Sequence, residues 1–453
     1  MESNTLNGKA FYGKVFRIAL PIALQALLTR LVDASDTLML GALSQDALSA
    51  ISLATSAQFV LNMISMSINS VISAMSAQYW GKKDVPSVEK TLGFALKVSL
   101  SAAFVFFAAS VFAPRFVMKC FTDDETLISL GISYLRIAGI SYLFMGMTQP
   151  QLTIMKNTGR VAKSSVFASS AVVLNLIFNA VLIFGLFGLP AMGIQGAALA
   201  TVLSRGIELT LCLIESARVK EGKLRLRYVL RDDKPIRRQY LSLLPAILLN
   251  QIVWSLGQTV FTSIIGHLGN DAVAANSLAN IARQLAFCFC NGVGAGSGVI
   301  IGNELGADHL ETAKIYAKRL LWLAFATGVV SGLIMASFVP LIVPLAKTLT
   351  PTASRYLRVM LYIGCVYVAG RSPNTVFVHG IFYAGGDMRF GLICDAINLW
   401  CVIIPIGALL AFVVKAPVLV VYCVLCMDEL VKVPVEIIHY RKYKWLRNIT
   451  KQA

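Results

Sequence analysis

Charge is scarce in this 453-residue chain. Asp, Glu, Lys and Arg make up 14% of it, against 57% hydrophobic residues. An ordinary soluble domain carries about 25% charged residues, so that class is excluded, and a helical protein crossing a membrane many times fits. Acids are the scarcer sign, 23 against 40 basic residues, for a formal net charge of +17. The surplus does not mark a nucleic-acid surface, because the basic residues sit at the ends of apolar segments, as the positive-inside rule requires. The four histidines, His267, His309, His379 and His439, are scattered and offer neither a metal cluster nor a catalytic dyad. Cys212, Cys288, Cys290, Cys365, Cys394, Cys401, Cys423 and Cys426 lie inside apolar runs, where cysteine behaves as a small hydrophobe. The pairs Cys288/Cys290 and Cys423/Cys426 have ligand-like spacing but no flanking His or carboxylate cluster, so no metal site and no enzyme chemistry are expected. A cleavable signal peptide is not expected either. Met1–Ala10 is polar, and the apolar run that follows is too long and lacks a cleavage site.

What is present is a succession of twelve apolar segments, near 15–40, 50–78, 92–113, 131–153, 163–187, 192–215, 240–266, 275–302, 315–338, 357–383, 390–413 and 416–438. The expected fold class is an all-α polytopic membrane protein. The N-terminal stretch (Lys9, Lys14, Arg17), the 2–3 loop (Lys82, Lys83, Lys90), the 4–5 loop (Lys156, Arg160, Lys163) and the tail (Arg441, Lys442, Lys444, Arg447, Lys451) are basic. The alternate loops are nearly bare of Lys and Arg, which puts both termini in the cytoplasm and the chain in the plasma (inner) membrane. A basic connection, KEGKLRLRYVLRDDKPIRRQY, divides the chain into an N-terminal six-helix bundle (1–217), a cytoplasmic linker (218–239) and a C-terminal six-helix bundle (240–453). The halves are related. With a shift of 225 residues, TLMLGALSQDALSAISLA (37–54) matches TSIIGHLGNDAVAANSLA (262–279) at nine of eighteen positions, and Gly81 falls on Gly306. Six spans per half make the repeat parallel, about an axis along the membrane normal, which is a transporter architecture.

The first spanning stretch, Arg17–Gly41, carries Asp33 and Asp36. A carboxylate on a membrane helix costs a few kcal/mol, and it usually faces a polar cavity, a partner or an ion. Its ending, VDASDTLMLGAL, together with LNLIFNAVLIFG (174–185), GIQGAALATVLSR (193–205) and AGGDMRFGLICDAINLWCVIIPIGALL (384–410), resembles the multidrug and toxic compound extrusion (MATE) family. The order and spacing of these four matches, spread over almost the whole chain, carry the resemblance. It implies two bundles around a V-shaped central cavity, with export driven by a proton or sodium gradient. It also implies a coupling site for H⁺ or Na⁺ at Asp36, Asn175, Asn179 and Thr201, without any other cofactor. Those residues supply one carboxylate, two amides and a hydroxyl, hard oxygen ligands suited to a monovalent cation or a proton. Family members of the proton-coupled kind often have Asp where this chain has Asn179, so a two-carboxylate relay is in doubt here. The matching position in the second half is Phe261, which confines the expected site to the first half.

Further polar positions fall inside the spans. Gln251 and Gln258 share a face of the seventh segment, and with Asp33, Arg283 and Arg371 they are candidates for lining a cavity. Arg205 and Glu208, three apart, are expected to pair, and Asp395, Asp428, Glu429 and Lys432 to form structural ion pairs. Pro21, on the helix carrying Asp36, would allow protonation or cation binding to bend that helix. The function expected is secondary active antiport, exporting amphipathic and often cationic organic compounds in exchange for H⁺ or Na⁺. The alternative is a flippase for lipid-linked saccharides of the same superfamily. The expected partners are those small molecules and the bilayer, with no nucleic acid, and the expected assembly is a monomer.

Overall fold

A computed structural model describes residues 8–346 and 349–451; residues 1–7 of the polar N-terminal stretch lie outside it. The fold is all-helical, and no strand occurs among the described residues. In chain order the long helices are α1 (Gly8–Leu43), α2 (Gln45–Gly81), α3 (Val85–Phe112), α4 (Glu125–Asn157), α5 (Val161–Phe184) and α6 (Gly193–Arg218). The second half follows with α7 (Lys234–His267), α8 (Asn270–Gly306), α9 (Leu310–Leu345) and α10 (Pro351–Thr375, continued by a π-helical turn Val376–Phe382). It ends with α11 (Met388–Ala396, running on through further turns to Val413) and α12 in two pieces, α12a (Val418–Leu425) and α12b (Asp428–Arg441). Among the described residues, ten of these helices are long and apolar enough to cross a membrane by length and composition. The other two are α10, diluted by Arg355, Arg358, Arg371 and Asn374, and α12, broken at Cys426–Met427.

The internal repeat reappears in the helix boundaries. Gln45 and Gly81 bound α2 as Asn270 and Gly306 bound α8, and α3 and α9 begin at the matching Val85 and Leu310. The turns correspond as well. Lys83 and Asp308 are both left-handed, at φ 62° and 61°, and the next residues, Asp84 and His309, donate backbone bonds to Tyr79 and Glu304.

By packing, the chain forms two compact units. One spans Leu27–Ser242, and the other gathers the described residues up to Ala26 with those from Leu243 onward. The first division falls in α1, little more than a turn after Pro21; the helix continues without interruption through that proline. In the second unit the beginning of α1 lies along α8. A Cβ at Gly292 would stand 2.5 Å from the Ala19 carbonyl, and the Phe11 ring lies 4.6 Å from that of Tyr316. The glycine run 291–302 therefore serves close helix approach, as small residues do in membranes, and α8 is unbroken across it. In the first unit the start of α7 is the corresponding piece: Tyr240 donates to the Ile68 carbonyl at 3.2 Å, and its ring meets the Phe94 ring edge-on.

The basic connection is docked on the beginning of α3. Gly93 leaves room for the Tyr228 carbonyl, which a Cβ there would approach to 2.5 Å. Arg225 pairs with Glu89, Lys97 with Asp232, and Lys90 with Asp233 at 2.6 Å. Lys97 holds the Asp232 carboxyl below the usual carboxylate range. Burial pushes the Asp233 carboxyl up, but the Lys90 contact and the Ile236 N–H outweigh it and hold it low. A carboxylate depressed in the folded state stabilises above its unfolded value, about 3.9, and that stabilisation is lost as pH falls through the folded value. A fluorophore attached at Leu226→Cys is therefore expected to keep its anisotropy at neutral pH and to lose it on acidification through the carboxylate range. An anisotropy independent of pH would disprove this ionic docking.

Candidate functional site

The expected coupling residues converge within the Leu27–Ser242 unit. Asp36 lies two turns before the end of α1, half-buried, with Met39 and Leu40 of the same helix packed into the apolar cluster of Ile51, Tyr134, Leu135, Ala138 and Ala197. Asn179, one turn from the end of α5, is 5% exposed and donates to Asp36 Oδ1 at 2.9 Å. Asn175 lies one turn earlier on the same face. In one amide orientation its oxygen accepts from Asn179 Nδ2 at 3.3 Å, and its nitrogen donates to Thr201 Oγ1 at 3.4 Å. In the other orientation its nitrogen donates to Asp36 Oδ2 at 3.1 Å, and its oxygen accepts from the Thr201 N–H at 3.3 Å. The second gives both carboxylate oxygens an amide donor and is the better electrostatic match to a charged Asp36. The Asn179 carbonyl oxygen is buried and accepts no hydrogen bond among the described residues.

The register of α5 against α6 is what brings Thr201 to this group. A Cβ at Gly196 would stand 2.6 Å from the Leu182 carbonyl, so only glycine lets the two helices close at this point. Gly185, left-handed at φ 71° and with Ala191 N 2.6 Å from any Cβ, makes the turn out of α5. Thr201 Oγ1 donates to the Ala197 carbonyl at 3.1 Å and also contacts the hydroxyl of Tyr134 on α4. Tyr134, buried beside Asp36, is a member of the group that the sequence motifs did not reveal. Its only sequence signal was a tyrosine inside a spanning segment, and several others share that signal.

The remaining polar positions separate. Asp33 is exposed, and its ion pair with Arg30 is long at 3.5 Å. Arg205 pairs with the fully buried Glu208 at 2.9 Å. Gln251 and Gln258 are half-buried on α7, whereas Asn250 is buried and donates to the Tyr383 hydroxyl at 3.0 Å. In the second unit Arg371 lies 4.3 Å from the Phe287 ring centre and 3.6 Å from Glu429. Arg283 spans the Tyr367 and Tyr422 rings, and its Nη1 donates to Cys426 Sγ at 3.3 Å. Phe261, which occupies the position matching Asp36, is packed in the apolar core of its unit. Among the described residues, no group of three or more His, Cys, Asp or Glu residues is placed to hold a metal ion.

A helical membrane protein with a duplicated six-helix plan, and a carboxylate ringed by amides inside one unit, belongs to the class of membrane transporters. Comparison with known proteins makes that class specific. The MatE family model matches residues 21–181 and 245–409. The chain belongs to this family and is a MATE efflux transporter. It is 26% identical over 415 residues to the multidrug resistance protein NorM of Burkholderia vietnamiensis, covering 87% of this chain and 86% of that one. It is 23% identical over 405 residues to the uncharacterized transporter YisQ of Bacillus subtilis, covering 87% and 86%. Among solved structures it resembles a MOP superfamily transporter from Pyrococcus furiosus (TM-score 0.86, 16% identity, 95% of each chain). It also resembles the MATE transporter VcmN of Vibrio cholerae (TM-score 0.86, 17% identity, 96% and 97% of the two chains). These structural likenesses establish the fold.

Losing the donor at position 179 would leave an Asp36 oxygen without its shortest hydrogen bond. Asn179→Ala is expected to cost about 1–3 kcal/mol, read as a lowered thermal unfolding temperature of the detergent-solubilised protein. An unchanged unfolding temperature would mean that the amide does not support the carboxylate.

Proposed function

We propose that this transporter is a secondary active antiporter. It exports amphipathic, often cationic organic compounds in exchange for H⁺ or Na⁺, and Asp36 is the carboxylate that carries the coupling ion. The observation that carries this reading is the Asn179–Asp36 contact at 2.9 Å, in a setting where a lone charge is costly and any bound cation finds oxygen ligands. Neutral amides solvate the ionised carboxylate without supplying a fixed positive charge. Asp36 therefore keeps its negative charge available to an incoming ion, which Asn175, Asn179 and Thr201 help to hold. The buried carbonyl oxygen of Asn179, with no protein donor, suits a cation ligand. A ligand shifts an inward–outward equilibrium only by its differential affinity for the two states, so substrate and coupling ion must favour different states. One carboxylate whose charge is cancelled by the ion can supply that difference.

Gln251, Gln258, Arg283 and Arg371, with Asp33, are proposed to face the substrate path. The rings of Trp254 and Phe287 beside Arg371 would offer flat apolar surface to aromatic cargo. Asp36→Asn is expected to abolish efflux driven by either gradient while leaving the thermal unfolding profile intact. Drug efflux from proteoliposomes, with the pH and sodium gradients imposed separately, measures this and identifies the coupling ion. Wild-type efflux by the variant would refute the assignment.

The proposed orientation places both termini in the cytoplasm of a plasma membrane. Cys120, exposed in the connection between α3 and α4, then lies on the outer face. A membrane-impermeant maleimide should label intact cells, and Cys120→Ser should remove that labelling. Labelling only after permeabilisation would invert the topology.

A further inference from the structure

A second concentration of buried charge lies on α12b, in the unit that lacks a counterpart of Asp36. Asp428, Lys432, Glu436 and His439 recur at three- to four-residue intervals and share one helix face, with Glu429 beside Asp428 at its start. At 1.5 Å per residue this column runs roughly 16 Å, from the break in α12 to its last turn. The groups facing it come from three neighbouring segments. From α10, Arg371 lies 3.6 Å from Glu429, and Asn374 donates to Glu429 Oε2 at 2.8 Å. The π-helical turn after α10 adds His379, near Asp395, Glu429 and Lys432. On α11, Asp395 receives Lys432 at 2.9 Å, Asn398 donates to the Asp428 carbonyl at 2.8 Å, and Cys394 stands near Glu436. Just before α11, Asp387 lies 2.6 Å from His439 and closes the column. Lys432 also reaches Glu429, at 3.2 Å.

The charges do not balance. Four carboxylates (Asp395, Asp428, Glu429 and Glu436) meet two fixed cations, Lys432 and Arg371, and those cations are engaged by Asp395 and Glu429. Glu436 is fully buried, and neither of its oxygens has a hydrogen-bond partner among the described residues; Asp428 is 4% exposed with Oδ1 in the same condition. The side-chain oxygens of Asn374 and Asn398, both buried, likewise accept nothing among the described residues. A buried, unpaired carboxylate is far costlier than its neutral form, and chains of acids and histidines inside membrane proteins mark proton pathways.

We infer that this column is a second proton-binding site, in which Glu436 and Asp428 each take up a proton that exchanges with water at the Asp387–His439 end of α12. The site is independent of Asp36, since it lies in the other unit and shares no residue with it. Lys432, bonded to Asp395 and Glu429, keeps the middle of the column from adding further negative charge.

Infrared difference spectroscopy of the reconstituted protein in H₂O and D₂O tests this through the carbonyl stretch of neutral carboxylic acids. That band is expected at neutral pH in the wild type and in Asp36→Asn, and Glu436→Gln, close in size and uncharged, should lose one component of it. Asp428→Asn provides the second deletion if the glutamine variant fails to fold. Absence of the band in Asp36→Asn overturns the proposal, as does a spectrum unchanged by both substitutions. Abolition of the band by sodium at constant pH would also overturn it, since the ligand would then be a metal cation. Failure of Asp36 as the coupling residue would leave these spectra unaffected, so the two readings can fail separately.

Discussion

The most consequential contact in this protein is the one that lets a carboxylate sit on a membrane helix. An acid at the middle of a spanning segment costs about 3 kcal/mol, and Asp36 meets that cost with amide donors instead of a cation. The choice has structural consequences. Two asparagines must stand one turn apart on α5, α6 must approach closely enough to bring Thr201 alongside, and Gly196 is the residue that permits the approach. An arginine in place of those amides would have neutralised Asp36 with a fixed positive charge.

The two halves share a plan and solve the problem of buried polarity differently. Helix boundaries and even the left-handed turn residues Lys83 and Asp308 correspond. Yet Phe261 occupies the position of Asp36 and packs into an apolar core, while the ionisable groups of the second half gather on α10, α11 and α12. Those helices are also the irregular ones. α10 passes into a π-helical turn after Pro373, α11 contains two such turns around Pro405, and α12 breaks immediately before Asp428. The break starts a new helix at the acids, so Glu429, paired with Arg371 and Lys432, occupies its first turn, where the helix dipole favours negative charge.

Much of this was legible before any coordinates. Long apolar runs can satisfy their backbone in a bilayer only as helices, which is why composition yielded the class and the span positions. The Asp36, Asn175, Asn179 and Thr201 set was also readable, because the resemblance of the motifs on α1, α5 and α6 to the family implies it. Tyr134 was not readable, since a tyrosine on a spanning helix becomes a neighbour of Thr201 only through the packing of α4 on α6. Arg371 showed the same limit: its partner Glu429 lies 58 residues away on another helix, beyond the reach of any spacing argument.

The sequence by itself determined the class and the duplicated plan, and it placed Phe261 in the second half where the first has Asp36, because those depend on local hydropathy and on internal identity. Only the tertiary structure decided which oxygens face Asp36, and it showed Asp33, three residues away on the same helix, to be exposed beside Arg30. It also decided that the beginnings of α1 and α7 pack with the opposite halves of the chain, and that Glu436 is buried without a protein donor. These are outcomes of close packing between helices far apart in sequence, where a glycine's missing side chain or a break in α12 sets which polar atoms meet.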